Sequence, residues 1–307
     1  MLSTVIITGG TGLVGTALSK ALLEKGYRVI ILTRNPPALS EDENMVFATW
    51  NPDKQVIDKE VIGSADYIIH LAGAGVADKR WTKKRKAEII SSRIKSSKLI
   101  VDSLKSIPNN IKAVVSASAI GWYGRDPIIP NEHPFTEEMP ADDEFLSKTC
   151  KLWEESTEPV SQLGKRLVKL RIGIVLSKNG GALKEFLKPL KFGVAAILSN
   201  GKQFISWIHI DDIVNMFIAA IENEHMHGVY NGVAPNPVSN KEFTIQMAKT
   251  RRKFFIHIHI PSFMLKWMMG EMSVEVLKST TVSAEKILAS GFHFKHATIA
   301  IALANSK

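Results

Sequence analysis

Along the first 175 residues, short runs of apolar and β-branched residues alternate with longer stretches in which apolar positions recur every three or four residues. Buried parallel strands read as near-continuous Val, Ile and Leu, whereas a helix lying on a sheet shows a single apolar stripe. The pattern predicts strands over 4–8, 28–33, 46–49, 67–71, 113–118 and 167–172, with helices near 13–25, 83–106 and 142–163. Strand and helix in that alternation build an α/β fold, a doubly wound parallel sheet covered on both faces. After residue 175 the alternation weakens into Gly180-Gly181, a loop around 199–206, and short elements as far as Phe294. Two parts are expected: a nucleotide-binding domain over 1–175, and a smaller α/β lobe over 176–307, partly interleaved with it. The lobe should cap the carboxyl edge of the sheet, where such folds bind ligands.

Composition changes this picture little. Hydrophobic residues are 45% of the 307, charged residues 22%, and mean hydropathy is +0.03, which excludes disordered, collagen-like and low-complexity classes. The longest apolar stretch, 213–221, is half a membrane span, so no membrane partner is expected. Met1 leads directly into the first strand without a basic, cleavable leader, and Cys150 is the single cysteine. Both features point to a reduced, cytoplasmic setting. Lys and Arg number 39 against 30 Asp and Glu, a net charge of +9 that permits an anionic ligand without naming one.

The strongest local signal is Thr8-Gly9-Gly10-Thr11-Gly12-Leu13-Val14-Gly15, directly after the first strand and opening the first helix. Glycines at that spacing permit a tight turn and let the backbone approach a pyrophosphate. Its charge is then met by free N–H groups and the positive end of the helix dipole. The sheet is thereby Rossmann-type, with Gly9, Thr11, Gly12, Leu13, Val14 and Gly15 as the cradle. An acid ending the second strand would accept from the 2′-hydroxyl of NAD, but the sequence there is Leu32-Thr33-Arg34-Asn35. Arg34 suits a 2′-phosphate through a charge-assisted, bidentate contact, so NADP is the expected cofactor.

Together with this loop, Ile69-His70-Leu71-Ala72-Gly73, Ser116-Ala117-Ser118 and Trp207-Ile208-His209-Ile210-Asp211-Asp212 resemble the extended branch of the short-chain dehydrogenase/reductase superfamily, the NAD(P)-dependent epimerase/dehydratase family. Arg80-Trp81-Thr82, Ser92-Arg93, Ser118-Ala119-Ile120-Gly121-Trp122-Tyr123-Gly124, Trp153-Glu154 and Ala234-Pro235-Asn236-Pro237 are similar to one atypical subgroup, the epimerase family proteins. That subgroup carries a C-terminal extension of unknown function, which corresponds here to roughly residue 255 onward. The resemblance implies an NADP(H)-dependent oxidoreductase or epimerase-like enzyme with a small-molecule substrate; a monomer or homodimer is expected, and the place of Arg80 and Trp81 on the ligand edge would suit an anionic substrate. A non-catalytic NADP(H)-dependent sensor or interaction protein is the competing class. Leu71, Ala72, Gly73 and Arg171 are assigned with it to the cofactor, Ser118 to the substrate oxygen, and Trp207 and His209 to the substrate edge.

The family's chemistry uses a Tyr-x-x-x-Lys pair on the helix after the fifth strand, where the lysine lowers the phenol's pKa and the phenol exchanges a proton with substrate. That helix reads Phe145-Leu146-Ser147-Lys148-Thr149-Cys150-Lys151-Leu152-Trp153-Glu154. Lys151 suits the lysine place, which sets Ser147 in the tyrosine place. A serine hydroxyl is too short and too weak an acid to replace a phenol. Tyr123, in a glycine-bracketed loop, either supplies the phenol from another direction or packs beside the nicotinamide.

The run 79–86 carries six cations and Trp81. Nucleic-acid binding, a solvated helix start, and substrate contact by Arg80 and Trp81 all accommodate it, and the expectation is no nucleic-acid partner. The pairs His257/His259 and His225/His227 lack a third ligand at recognisable spacing, so no metal is expected. Asp211 or Asp212 is expected to cap the following helix, leaving His209 for ligand. Cys150 lies in an apolar helical stretch without a histidine partner, which argues against a nucleophile.

Overall fold

The first strand, Thr4–Thr8, is buried throughout, and its residues feed two different cores. Val5 and Ile7 point to one face and Ile6 to the other; the division repeats at Val29 and Ile31 against Ile30 and Leu32, and at Val115 against Val114. A strand covered on both sides has no polar face, which is why these segments read as continuous apolar runs.

The computed structural model describes residues 2–37, 42–251 and 254–306. Its main sheet has eight strands, in the order Gly228–Gly232, Arg166–Ile172, Ala113–Ala119, Tyr67–His70, Thr4–Thr8, Arg28–Thr33, Met45–Asn51 and Val56–Ile57. All pairs are parallel except the last, where Val56–Ile57 closes the edge antiparallel to Met45–Asn51. Helices Leu13–Glu24 and Ile210–Glu222 cover one face, while Lys59–Ser64 and Lys83–Ser106 cover the other. The helix expected over 142–163 is two, Phe145–Thr157 and Pro159–Gln162. Pro159, without an N–H, serves as the first residue of the second helix.

Beyond residue 175, three two-stranded sheets and several short helices surround a third core containing Leu176, Leu183, Trp207 and Phe243. The strand Gly228–Gly232 returns from this region to pair with Arg166–Ile172, so the second half of the chain completes the sheet of the first. Among the described residues, no helix is long and apolar enough to cross a membrane.

Candidate functional site

The strand order reverses between Thr4–Thr8 and Tyr67–His70, the switch point where doubly wound sheets open a ligand crevice. A cavity of about 550 Å³ lies there, lined by Gly9, Thr11, Gly12, Arg34, Leu71, Ala72 and Gly73. Gly9 has φ +71°, and a Cβ on it would stand 2.9 Å from the Leu71 carbonyl carbon. A Cβ on Gly15 would stand 2.3 Å from the Gly9 oxygen, so neither position admits a side chain. The turn closes through the Gly12 N–H, which donates to the Gly9 carbonyl at 3.0 Å. The helix that follows, Leu13–Glu24, has neither a side-chain cap nor an acid in its first turn. Its leading N–H groups and the positive end of its dipole are therefore left free for an anion, and the cradle fits a pyrophosphate. Val14 packs against the core behind the loop.

Buried side chains hold this loop against the fourth parallel strand in sequence. Thr8 Oγ1 accepts from the backbone N–H groups of Leu71 and Ala72, each at 3.2 Å, and lies 2.7 Å from His70 Nδ1. With both acceptor sites occupied, the Thr8 hydroxyl donates to Nδ1, which places the ring proton on Nε2, facing Ser97 and Ser96. Burial pushes His70 down to about 3, so it stays neutral. Thr8 and His70 end two adjacent buried strands, and such a polar pair at the close of two apolar runs is the mark of this support in the sequence.

Arg34 stands exposed at the mouth of the cleft. The carboxylate sharing that wall, Asp53, is held below its ordinary range by Lys95, whose ammonium lies 2.6 Å away. The cleft thus offers a cation and an already paired acid. Arg85 also lines it, ion-paired to Asp78 and Glu88, with Nε left without a hydrogen-bond partner.

The far end of the sheet departs from expectation. Ser118 Oγ donates to the Glu154 carboxylate at 2.6 Å, and Glu154 in turn takes a bidentate pair from Arg171 at 2.8 and 3.0 Å. Arg171 is buried, stacks 3.7 Å over the Trp122 ring, and donates to Tyr123 Oη and the Glu137 carbonyl. It is a pillar of this network, not a lining residue of the cofactor cleft, because Glu154 and Glu137 draw it inward. Tyr123 is buried against Phe135; its hydroxyl donates to Asn231 Oδ1 at 2.7 Å, and burial pushes the phenol up to about 12. That proton is committed, which corrects its placement as a donor to substrate.

Lys151 is exposed, whereas Ser147, Cys150, Trp153 and Glu154 form the buried face of the Phe145–Thr157 helix. Ser147 Oγ donates to the Gly121 carbonyl at 2.8 Å. Lys151 is thus outside the buried face that carries Ser147 and the Ser118 partner Glu154, although the i, i+4 spacing from Ser147 is right. Cys150 sits inward, and burial raises its thiol to about 12, with the Glu154 charge adding to the effect. It is inert.

The substrate candidates scatter. Trp207 is fully buried in the third core, with its indole N–H donating to the Asn236 carbonyl at 3.0 Å. An aromatic of that size is consumed by packing, which removes it from the substrate edge. Trp81 donates to the Val76 carbonyl and meets Phe145 edge-on at 4.9 Å. Arg80 donates to the Trp267 carbonyl, and Lys86 pairs with Glu271. Part of the basic run thus clasps the C-terminal region, and Thr82 caps the Lys83–Ser106 helix by accepting from the Arg85 N–H at 3.1 Å. His209, buried, caps Ile210–Glu222: its Nδ1 accepts from the Asp211 N–H at 3.2 Å. Asp212 instead accepts from the backbone of Lys295 and His296, so the expected roles of histidine and aspartate are exchanged. His225, His227, His257 and His259 are exposed.

With this geometry in place, comparison supplies the class. Residues 5–231 match the NAD dependent epimerase/dehydratase family, and residues 260–306 match a C-terminal domain of unknown function. The chain belongs to that epimerase/dehydratase family, in its extended short-chain dehydrogenase/reductase form. The epimerase family protein YfhF of Bacillus subtilis is 35% identical over 302 residues, covering 97% of this chain and 96% of that one. The human epimerase family protein SDR39U1, solved with NADPH, is 28% identical with a TM-score of 0.87, covering 99% of this chain and 98% of that one. A nucleoside-diphosphate sugar epimerase of Corynebacterium glutamicum is 31% identical with a TM-score of 0.78, covering 100% of this chain and 58% of that one.

Proposed function

We propose that the protein binds NADP(H) in the switch-point cleft and acts on a small anionic substrate as an oxidoreductase or epimerase-like enzyme without a tyrosine–lysine proton relay. The observation that carries the cofactor reading is the uncapped helix end behind the Gly9–Gly15 cradle, with Arg34 at the mouth of the same cavity. SDR39U1, similar along its whole length, was solved with NADPH, which supports the phosphate-bearing cofactor. Bound there, NADP(H) supplies or accepts a hydride. The loop N–H groups hold the pyrophosphate, Arg34 holds the 2′-phosphate, and Leu71 to Gly73 wall the cleft against water.

A second reading, an NADP(H)-dependent sensor, is favoured by one specific observation: the Ser118 and Tyr123 hydroxyls and the Arg171 guanidinium are all engaged within the protein. Calorimetric titration with NADPH and NADH tests the cofactor. The expected result is preference for NADPH, abolished in a folded Gly12→Val variant whose added methyls fill the phosphate space; equal affinities would refute it. Steady-state NADPH oxidation with aldehydes, diketones and quinones then separates the readings, since a sensor binds without consuming.

A further inference from the structure

At the amino end of the Ile210–Glu222 helix, three electron-pair donors converge from two distant parts of the chain. His209 Nδ1 accepts from the Asp211 N–H at 3.2 Å, so that nitrogen carries no proton. Asp211 Oδ2 lies 3.5 Å from the same Nδ1, and a metal ion would take the Nδ1 lone pair in place of the Asp211 N–H. His296 Nδ1 lies 3.2 Å from Asp212 Oδ2. A carboxylate only accepts, so Nδ1 is the donor to Asp212, and in the neutral ring Nε2 then presents a lone pair, 3.9 Å from Asp211 Oδ2.

Asp212 is fully buried and also accepts from the N–H groups of Lys295 and His296, at 2.7 and 3.0 Å, so it fixes the His296 ring firmly. A carboxylate behind a histidine, with the opposite nitrogen free, is the arrangement that orients metal-binding imidazoles. The donor atoms of His209, Asp211 and His296 all lie within 4.8 Å of one another. A tetrahedral zinc ion with bonds of about 2.05 Å spaces its ligands about 3.3 Å apart. The 3.5 and 3.9 Å separations would close to that through small shifts of the two rings, whose centroids lie 3.8 Å apart with their planes tilted by 32°.

We propose that His209, Asp211 and His296 bind a divalent cation of the zinc class, fastening the C-terminal segment to the body of the fold. Two imidazoles and a carboxylate are donors that zinc takes readily. His209 and Asp211 line a cavity of about 930 Å³ and Asp211 is exposed, so the ion enters from solvent and keeps water in its fourth position. Thr11, Gly12 and Leu13 of the phosphate loop line the same cavity, so the titration is made without nucleotide.

The test is calorimetric titration of the full chain, stripped with chelator, with Zn²⁺, accompanied by thermal melting. One ion per chain and a raised melting temperature are expected, because a ligand bound only by the folded state stabilises it. Asp211→Asn removes the exposed charged ligand while leaving the metal-free helix cap on the backbone N–H of residue 211 intact, and should weaken Zn²⁺ at least tenfold. His296→Gln should weaken it further. Absence of a bound ion overturns the proposal, as does unchanged affinity in Asp211→Asn, which would place the ion on the exposed pairs His225/His227 or His257/His259.

Discussion

The phosphate loop and the strand end at Ser118 stand on the same carboxyl edge of one sheet, yet they are built on opposite principles. Around Gly9 to Gly15 the protein leaves polar groups unsatisfied: helix N–H groups without a cap, and Arg34 in solvent. Around Ser118 it satisfies every polar group named: hydroxyl to Glu154, Glu154 to Arg171, Arg171 to Tyr123, and Tyr123 to Asn231. Unsatisfied groups wait for a ligand and closed networks hold a structure. One end of the edge is organised to receive, the other to stay shut.

The sharpest way to break this contrast is Glu154→Ala. It strands the Arg171 guanidinium in the interior, and the expected cost is about 3–5 kcal/mol, read from urea denaturation. A loss below ~1 kcal/mol would mean the network is open to water and available for chemistry. Next, Arg34→Ala should weaken NADPH by about 1.5 kcal/mol, roughly tenfold, while leaving NADH and stability unchanged. The lower end of the charge-assisted range applies because Arg34 is exposed.

His209→Ala should cost about 1 kcal/mol of stability in metal-free protein, through loss of the helix cap. The pH dependence has a definite sign. His209 and His70 both lie below their ordinary value in the folded state, so their contribution is complete above about pH 6.5 and lost as pH falls through the folded values, to about 3 for His70. His209→Ala should flatten the upper part of that decline in denaturation curves taken between pH 7 and 5. The smallest effect is expected for Lys151→Ala, within about 0.5 kcal/mol of wild type and with unaltered NADPH affinity, since its side chain is exposed. A large loss of turnover in that variant would reinstate the lysine relay.

The same contrast explains what was legible in the amino-acid sequence. The cradle could be read residue by residue because backbone approach to a phosphate demands glycine at fixed spacing, and the alternating cores left an unbroken apolar signature in each strand. The proton-transfer end could not be read the same way, since a four-residue spacing on a helix fits several pairs and says nothing of which face turns inward. The face was nonetheless encoded: Lys148, Lys151 and Glu155 recur at the three- and four-residue spacing of a solvated stripe, opposite Cys150, Trp153 and Thr157. Glu154 and Asn231 left no such trace, because their partners lie 17 to 108 residues away along the chain. His209 followed a different rule, an imidazole taking the capping place that a neighbouring aspartate usually fills, so that both acids were free to bind elsewhere.

The edge strand Gly228–Gly232 has a consequence for how the molecule comes into being. During synthesis the Arg166–Ile172 strand emerges with its outer hydrogen-bonding groups bare, and it stays so until residue 232 has left the ribosome. A bare parallel edge is a template for pairing with other chains, and slow-closing sheets are most exposed to it. Asn231 arrives on that same strand to take the Tyr123 hydroxyl and to donate its N–H to Glu137 at 2.7 Å. The last strand of the main sheet to be made thus locks the interior of the first half, and a nascent chain halted before it would hold a finished phosphate loop on an unfinished sheet.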